Sequence, residues 1–426
     1  MSLLPSPVRD RLEKLREFLD PALARRRLTP RADNVPESFR FGRRPTRESL
    51  TRLLDKIDGA GYDSLEFRSH IADSASIASA ESYVRNIENY VGTVKVPVGL
   101  AGPLRINGLY ANGDFLVPLA TTEAALVASY ARGAMIASRA GGVNVALLAE
   151  GTLRSPAFVF DDIYESARFV DWIASNETAL KETAESTTRY GKLISIEPYV
   201  DGEIVFLICR YTTGDASGQN MVTIATEAMC RYMAENSVIK PLRWYVEGNF
   251  SGDKKASFLG MLRGRGRKVT ASIVLPKELI ERFLRTTPAA ILDYAKIANL
   301  GACLNGQIGV QGHYANGLAA FYIATGQDVG CVAESAVGST RVEDRDGDLF
   351  VSVTMPNILV GSVGGGTGLP SQAAGLSLLG LKGPGNAAAL AEVTAAICLC
   401  GEVSITAAIS AGHFARAHGT LARGRS

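Results

Sequence analysis

Residues 192–213, KLISIEPYVDGEIVFLICRYTT, contain two apolar runs on either side of an Asp-Gly pair. An Asp-Gly pair between strand-forming runs is typical of a tight β-hairpin turn. A helical pattern of apolar residues precedes the hairpin at 165–187, and another follows it at 216–236. We therefore predict a small domain of helices and strands at 156–246, inserted in a larger one.

The rest of the chain predicts two further domains, because 426 residues are too many for one ordinary core. Residues 1–90 have mainly helical patterns, with Thr46 as a predicted helix N-cap. Residues 91–155 and 247–426 mix strand patterns with helices of small residues and include a long Ala-rich helix at 386–413. The predicted fold is α+β, with a helical N-terminal region, a large α/β domain with a long central helix, and the small inserted domain.

Composition and charge exclude several classes of protein. The net charge of +2 predicts no nucleic-acid or membrane partner. The six Cys form no CxxC pair, so we expect neither a zinc site nor a disulfide scaffold and infer a reducing cytoplasm. The uncharged stretch 349–381 is interrupted by Gly and Pro, which predicts a buried strand, a loop and a helix start rather than a membrane span. Charges near the N terminus predict no signal peptide.

Four short patterns contain side chains that could carry chemistry. They are Glu123 in PLATTEAALVAS, the triplet Asp253, Lys254 and Lys255 in EGNFSGDKKAS, Asp328 in GQDVG, and His413 and His418 near the C terminus. Each has a structural interpretation: a carboxylate just inside a helix that Thr121 or Thr122 caps, a solvated turn, a turn aspartate, and a histidine at a helix C terminus. The catalytic interpretations are a buried general acid, an oxyanion-stabilising lysine and an acid near the terminus.

The sequence lacks the common fingerprints of nucleotide and metal sites. GSVGGGTGLP at 361–370 has no Lys-Ser/Thr and is not a Walker loop, and DASGQNM at 215–221 does not match G-x-G-x-x-G. His413 and His418 are five residues apart, a spacing that does not place two ligands on one face of a helix. We therefore predict no metal, and expect any nucleotide to be bound by another kind of loop.

The order of the motifs is more informative than any one of them. IENYVGTVKVPVGLAGPL, PLATTEAALVAS, EGNFSGDKKAS, GQDVGCVAES, TMPNILVGSVGGGTGLPSQ and SAGHFARAH follow one another over about residues 81–420. In this order they resemble the class I 3-hydroxy-3-methylglutaryl-coenzyme A (HMG-CoA) reductases, in a soluble prokaryotic-type form without a membrane anchor. The resemblance implies reduction of HMG-CoA to mevalonate and CoA with two NAD(P)H. It also implies that the large domain binds acyl-CoA and that the inserted domain is ferredoxin-like and binds the cofactor.

The resemblance further implies a role for each candidate side chain. Lys254 stabilises the oxyanion that forms when hydride reduces the thioester. Glu123, kept protonated by burial, donates the proton in the second reduction, and Asp328 links the lysine with the glutamate. His418 protonates the leaving CoA thiolate, whereas His413 matches a position without a catalytic role.

Other positions match the binding residues of the family. The resemblance assigns to the substrate Arg132 at the CoA phosphate, Arg154, Asp253 and Lys255 at the HMG carboxylate, and His313 and Asn316 near the substrate. It assigns to the cofactor Arg189, Asp215, Gly218, Asn220 and Met221. Arg189 matches an arginine near the adenosine 2′-phosphate, which favours NADPH over NADH. A homodimer or a dimer of dimers with shared active sites is expected.

One departure from the family pattern bears on the substrate. Glu247 replaces a serine that contacts the HMG carboxylate, so that two carboxylates would face each other. Two alternatives therefore stay open. One is a paralogue that reduces another acyl-CoA or oxidises mevalonate, and the other is a non-catalytic acyl-CoA-binding protein. The four retained candidate catalytic residues favour an enzyme.

Overall fold

The computed structural model describes residues 46–61 and 64–412. Its contacts divide the chain into two compact units, Met1–Thr93 and Val94–Ser426. The helix and the Arg-rich connector predicted before residue 46 lie outside the described residues, as do His413 and His418.

The described part of the first unit is helical. Its elements are α1 (Arg47–Gly59), α2 (Leu65–His70), α3 (Ser74–Ala78) and a 3₁₀ turn (Ala80–Tyr83). Thr46 caps α1 as predicted, because its hydroxyl accepts the Ser49 N–H at 3.2 Å while the Ser49 hydroxyl accepts the Thr46 N–H at 2.8 Å. Leu50 packs with Ala80 and Tyr90 in a small core.

The second unit combines a large sheet with helices. Its strands are β1 (Val98–Gly108), β2 (Asn112–Ala120), β3 (Val143–Arg154), β4 (Ala157–Val159), β5 (Lys192–Asp201), β6 (Ile204–Thr212), β7 (Arg243–Tyr245), β8 (Gly266–Leu275), β9 (Gly309–Val310), β10 (Gly338–Arg345) and β11 (Asp348–Ile358). Its helices are α4 (Leu126–Arg139), α5 (Ile163–Ser175), α6 (Glu177–Ser186), α7 (Gln219–Asn236), α8 (Phe258–Arg263), α9 (Lys277–Leu279, continued by a π-helical turn Ile280–Leu284), α10 (Pro288–Asn305), α11 (Tyr314–Thr325), α12 (Val332–Ser335), α13 (Pro370–Leu378) and α14 (Ala387–Ser410). The stretch 349–381 forms the strand, loop and helix start that the sequence predicts.

Strand β3 joins the two parts of the sheet. Most of it pairs antiparallel with β8, from Asn144 opposite Ser272 to Gly151 opposite Gly266, and its last three residues pair with β6. The strand order is β7-β4-β6-β3-β8-β11-β10-β9, with β1 also on β3, β2 on β1 and β5 on β6. The strands on the β6 side and those on the β8 side contribute to separate hydrophobic clusters.

The hairpin predicted at 192–213 is present. Strands β5 and β6 pair antiparallel, and Asp201 lies opposite Ile204 across the turn. The helices α5, α6 and α7 pack on these strands in one cluster that includes Phe169, Leu207 and Met229. The predicted limits of the inserted domain, 156 and 246, stay a prediction, because the division by contacts does not separate this block.

The long helix α14 lies in the larger hydrophobic cluster, and most of its side chains are buried. Among the described residues it is the one helix long and apolar enough to cross a membrane, and 78% of its apolar window is buried inside the protein. Such burial is typical of a core helix. Two of its buried side chains are carboxylates, Glu392 and Glu402. Glu392 accepts the backbone N–H groups of Tyr110 and Ala111 at 2.8 and 2.7 Å.

Candidate active site

Lys254 lies in the loop between β7 and α8, at a left-handed backbone position with φ +56°. Its Nζ is 2.8 Å from Oδ2 of Asp328, and its backbone N–H donates to Oε1 of Glu334 at 3.2 Å. Asp328 is also fixed, because its Oδ1 accepts the Gly330 N–H at 2.9 Å at the start of a 3₁₀ turn. The hydrogen bond with Asp328 raises the pKa of Lys254, which keeps the ammonium protonated.

A buried ionic network fixes the backbone that carries this lysine. Arg265 is almost fully buried, and its guanidinium lies 2.6 Å from Glu334 and 3.0 Å from Asp253. Burial raises the pKa of the Glu334 carboxyl, and the charge of Arg265 opposes this rise. Glu334 also accepts the backbone N–H of Lys254, and Asp253 directly precedes Lys254 in the chain. Glu334 therefore fixes the loop at the Lys254 N–H, and Arg265 fixes it at the Asp253 side chain.

Arg154, at the end of β3, extends this network. Its side chain is 8% exposed, and Nη1 lies 3.1 Å from Oε2 of Glu247 and 3.2 Å from Oδ2 of Asp253. The ammonium of Lys255 donates to the backbone oxygen of Asp253 at 2.9 Å. The structure therefore brings the predicted triplet together with Arg154 and Asp328.

A second group of predicted residues lines a cavity of about 760 Å³, namely Glu123, Arg132, His313 and Asn316. The amide Nδ2 of Asn316 donates to Oε2 of Glu123 at 2.8 Å. Burial lowers the pKa of Arg132, whose guanidinium donates to the hydroxyl and the backbone oxygen of Ser404 at 2.8 and 2.9 Å. A cavity of this size with a few convergent polar groups is typical of a ligand site.

The predicted helix start and Thr cap at Glu123 are wrong. Helix α4 begins at Leu126, three residues later than predicted, because Ala125 adopts a left-handed φ of +68° that interrupts helical geometry. Neither Thr121 nor Thr122 caps this helix, and the Thr121 hydroxyl instead accepts the Glu123 N–H at 2.9 Å in a local turn. Glu123 is also exposed in the single chain, so the burial that we predicted for it is not found there.

Glu402 is a residue of the cavity wall that the sequence predictions missed. Its Oε1 accepts the backbone N–H of His313 at 2.8 Å and lies 3.4 Å from ring Nδ1 of the same residue. Its Oε2 accepts the Gly312 N–H and the Thr340 hydroxyl, each at 2.8 Å. The signal that could reveal it is a charged residue within the apolar helical pattern AAICLCGE.

We expect the substitution Glu402→Ala to lower the free energy of unfolding by about 3 kcal/mol, because it leaves several buried donors without an acceptor. Urea denaturation followed by circular dichroism measures this quantity. Glu343→Ala, on β10, is the control: the Glu343 side chain is 42% exposed, and its loss should cost less than about 0.5 kcal/mol. Equal stability of the two variants would show that the hydrogen bonds of Glu402 do not stabilise the fold.

The predicted cofactor residues lie in and beside the loop between β6 and α7. The backbone oxygen of Asp215 accepts the N–H of Ser362 at 2.9 Å, so this loop contacts the Gly-rich segment after β11. A Cβ at Gly361 would lie 2.6 Å from the backbone nitrogen of Ser217, and Gly218 has φ +78°. Glycine at 361 allows the two backbone segments to approach closely, and glycine at 218 allows the left-handed turn beside Thr213.

Asn220 and Met221 lie in the first turn of α7, and Arg189 lies in the turn between α6 and β5. The hydroxyl of Thr188 donates to the sulfur of Met221 at 2.9 Å, so the turn that contains Arg189 contacts this helix. Arg189 and Asn220 are exposed. An exposed arginine beside the predicted cofactor loop is placed to bind an anionic group of a ligand.

The comparison with known families agrees with this geometry. The profile described as Hydroxymethylglutaryl-coenzyme A reductase matches residues 54–423. The chain belongs to the HMG-CoA reductase family. The match includes both groups of site residues described above, and the predicted resemblance is confirmed.

Individual HMG-CoA reductases from archaea are similar over most of their length. The 3-hydroxy-3-methylglutaryl-coenzyme A reductase of Aeropyrum pernix is 43% identical over 392 residues, which are 88% of this chain and 93% of that protein. That of Methanothermobacter thermautotrophicus is 42% identical over 342 residues, which are 80% of this chain and 86% of that protein.

A solved HMG-CoA reductase structure shares the fold. The class II enzyme from Streptococcus pneumoniae, bound to NADPH in open conformations, superposes with a TM-score of 0.61 and 21% identity, covering 88% of this chain and all of that one. The likeness confirms the mixed α+β fold and carries no residue assignment.

Within one chain, the two groups of HMG-CoA reductase site residues lie at opposite ends of α11. Asn316, which binds Glu123, is in the first turn of this helix, and Asp328, which binds Lys254, follows its C-terminal end. The helix rises roughly 14 Å from Asn316 to its last residue, Thr325. No contact among the described residues joins Glu123 with Lys254. The fourth predicted catalytic residue, His418, lies outside the described residues, and its role stays a prediction.

Proposed function

We propose that this chain reduces HMG-CoA to mevalonate and CoA with two NAD(P)H. The observation that carries this conclusion is the pair of Lys254 and Asp328, 2.8 Å apart on a loop fixed by buried charges. Reduction of a thioester by hydride develops negative charge on the carbonyl oxygen, and a fixed, protonated cation stabilises that charge. Simple binding of an acyl-CoA does not need such a pair.

The remaining residues of the first group position the substrate. Bound nicotinamide cofactor supplies the hydride in both reductions. Lys254 stabilises the oxyanion, while Asp328 keeps its ammonium protonated and oriented. Arg154 and Lys255 hold the carboxylate end of the acyl group, and Asp253 contributes by orienting both cations.

The cavity residues serve the second reduction and CoA. Glu123 donates a proton to the aldehyde oxygen, and Asn316 orients its carboxyl group through their hydrogen bond. Arg132 binds a CoA phosphate, and His313 contacts the substrate from the cavity wall. His418 protonates the CoA thiolate between the two hydride transfers, which makes CoA a better leaving group.

We propose that a second subunit completes each active site. Glu123 is exposed in the single chain, and it and Lys254 bind residues at opposite ends of α11. One chain therefore does not bring the proton donor to the oxyanion lysine. A homodimer, or a dimer of dimers, in which Glu123 of one subunit faces Lys254 of the next would join them and cover the carboxyl group.

We propose NADPH as the preferred cofactor, in a site that needs no metal, and a cytoplasmic location. Asp215, Gly218, Asn220 and Met221 would hold the dinucleotide in a loop that packs closely on the Gly-rich segment at Gly361. The exposed guanidinium of Arg189 would bind the adenosine 2′-phosphate.

Arg189→Ser tests the cofactor preference. We expect it to raise KM for NADPH about tenfold while KM for NADH stays unchanged, because only NADPH carries the 2′-phosphate. Steady-state rates with each cofactor measure both constants. Arg168→Ser, which removes a cation over the Tyr164 ring on α5, is the control and should alter neither constant. A parallel rise of KM for both cofactors would argue against the assignment of Arg189.

Asp328→Asn tests how the lysine is kept charged. The hydrogen bond and charge of Asp328 raise the pKa of Lys254, so their loss lowers that pKa. Because the protonated ammonium is the active form, we expect the basic limb of the kcat profile to move to lower pH. Rates measured from neutral to alkaline pH show the shift, and an unmoved basic limb would mean that Lys254 does not set it.

The reaction itself is tested with the purified protein, HMG-CoA and either NADPH or NADH. We expect two cofactors to be oxidised for each CoA released, with mevalonate as the product. The reverse assay, mevalonate with CoA and oxidised cofactor, measures the catabolic direction in the same preparation. Binding of HMG-CoA without turnover in either direction would refute the proposed reaction.

A further inference from the structure

The guanidinium of Arg154, which the proposed function assigns to the substrate carboxylate, already forms ion pairs with two protein carboxylates. Its Nη1 is shared between Glu247 at 3.1 Å and Asp253 at 3.2 Å. Its buried Nε has no hydrogen-bond partner among the residues that the structure describes. The charge of this arginine is already balanced, so a ligand carboxylate has to displace one of the two protein carboxylates.

The balance can be counted over the whole ionic network. The cations are Arg154, Lys254 and Arg265, with the adjacent Lys255, whose ammonium donates to a backbone oxygen. The carboxylates are Glu247, Asp253, Asp328 and Glu334. Counted in their charged forms, the two sets cancel. Without the carboxylate of Glu247 the network would carry one positive charge, which a ligand carboxylate could neutralise.

Of the two carboxylates at Arg154, Glu247 is the one that a ligand carboxylate displaces more easily. Asp253 is held by Arg265 at 3.0 Å as well as by Arg154. Glu247 has Arg154 as its charged partner within the described residues, and its other contacts are long hydrogen bonds of 3.4 Å from backbone N–H groups, those of Ser155 and Ser251. Its side chain is 25% exposed. It can therefore leave Arg154 without breaking the buried part of the network.

We propose, on the basis of the function proposed above, that Glu247 is a specificity-determining residue that competes with the carboxylate of the acyl group for Arg154. A ligand carboxylate binds only when Glu247 gives up this ion pair, so binding of a carboxylate-ended acyl-CoA is weakened. An acyl-CoA that ends in an uncharged group does not compete and is not weakened. The discrimination is electrostatic and lies in binding rather than in the hydride transfers.

Two ligands and two variants isolate this effect. The ligands are HMG-CoA and the matching acyl-CoA in which a methyl group replaces the carboxymethyl group. Glu247→Gln removes the charge and keeps the volume, and Glu247→Ser also removes the bulk. Removing like-charge competition should tighten Kd for HMG-CoA about tenfold in both variants and leave Kd for the uncharged analogue unchanged. Calorimetric titration of the full chain measures both constants, and kcat should change little.

Glu197→Gln is the matched control, because Glu197 forms an exposed ion pair with Arg263 at 2.9 Å and does not contact Arg154. It should leave both Kd values unchanged. Unaltered binding of the uncharged analogue also reports that each variant is folded.

The possible results distinguish a failure of the Glu247 proposal from a failure of the proposed reductase function. If the wild-type protein turns over HMG-CoA and the Glu247 variants bind it equally or more weakly, Glu247 does not compete and the inference is wrong. An equal change of Kd for both ligands would likewise overturn it, since a structural effect has no reason to follow the ligand charge. If the wild-type protein does not turn over HMG-CoA at all, the proposed function fails independently of the Glu247 results.

Discussion

Replacing Lys254 by methionine is expected to lower kcat for HMG-CoA reduction by about a thousandfold, with a much smaller change in KM. Methionine keeps the Cβ and the approximate length of the side chain, so the left-handed backbone at φ +56° carries no new group. The substitution removes only the ammonium charge that stabilises the developing oxyanion. Since the interaction strengthens in the transition state, its loss lowers kcat more than it weakens substrate binding.

Two variants control for indirect effects of this change. Lys277→Met, at the start of α9, removes an exposed lysine that lies 3.7 Å from Glu281 and should leave kcat unchanged. Lys254→Arg retains the charge but moves it to a larger, planar group, and should recover part of the rate. Lys254 is 46% exposed, so its replacement should not unfold the protein. A loss of less than about tenfold for Lys254→Met would remove Lys254 from the proposed mechanism.

Local sequence signals predicted the elements better than the contacts between them. The Asp-Gly turn, the Thr46 cap and the Ala-rich helix were readable because each depends on residues within a few positions. The wrong helix start at Glu123 also has a local cause. Ala125 takes a left-handed conformation that an alanine does not predict, so the helix begins later than expected. Propensity alone cannot show where tertiary contacts override it.

The arrangement of the site depended on long-range contacts that no local pattern contains. Asp328 is 74 positions from Lys254, and only the family resemblance suggested that they meet. Glu402 was missed because its acceptor role depends on three backbone and hydroxyl donors from other segments. The occupation of Arg154 by Glu247 is likewise visible only in the structure, although the unusual residue was visible in the sequence.

Co-expression of Glu123→Gln with Lys254→Met is expected to restore activity that neither variant has alone. In a homodimer with shared sites, a mixed dimer has one site with both substitutions and one with neither. Random assortment makes half of the dimers mixed, and half of their sites are intact. The mixture should therefore recover about a quarter of the wild-type rate. Differently tagged subunits allow the mixed dimers to be purified, and these should reach about half of it.

The matched control pairs two substitutions on the same side of the proposed interface. Lys254 and Asp328 contact each other within one chain, so every site of a mixed dimer of Lys254→Met and Asp328→Asn carries one of the two defects. That mixture should show no rate beyond the average of its parents. Failure of Glu123→Gln and Lys254→Met to complement, with mixed dimers demonstrably formed, would mean that one chain brings both residues to the substrate. Closure across the length of α11, roughly 18 Å, would then have to occur within the subunit. Complementation in the first pair and none in the second would instead assign the proton donor and the oxyanion lysine to different subunits, which explains why Glu123 is exposed in the isolated chain.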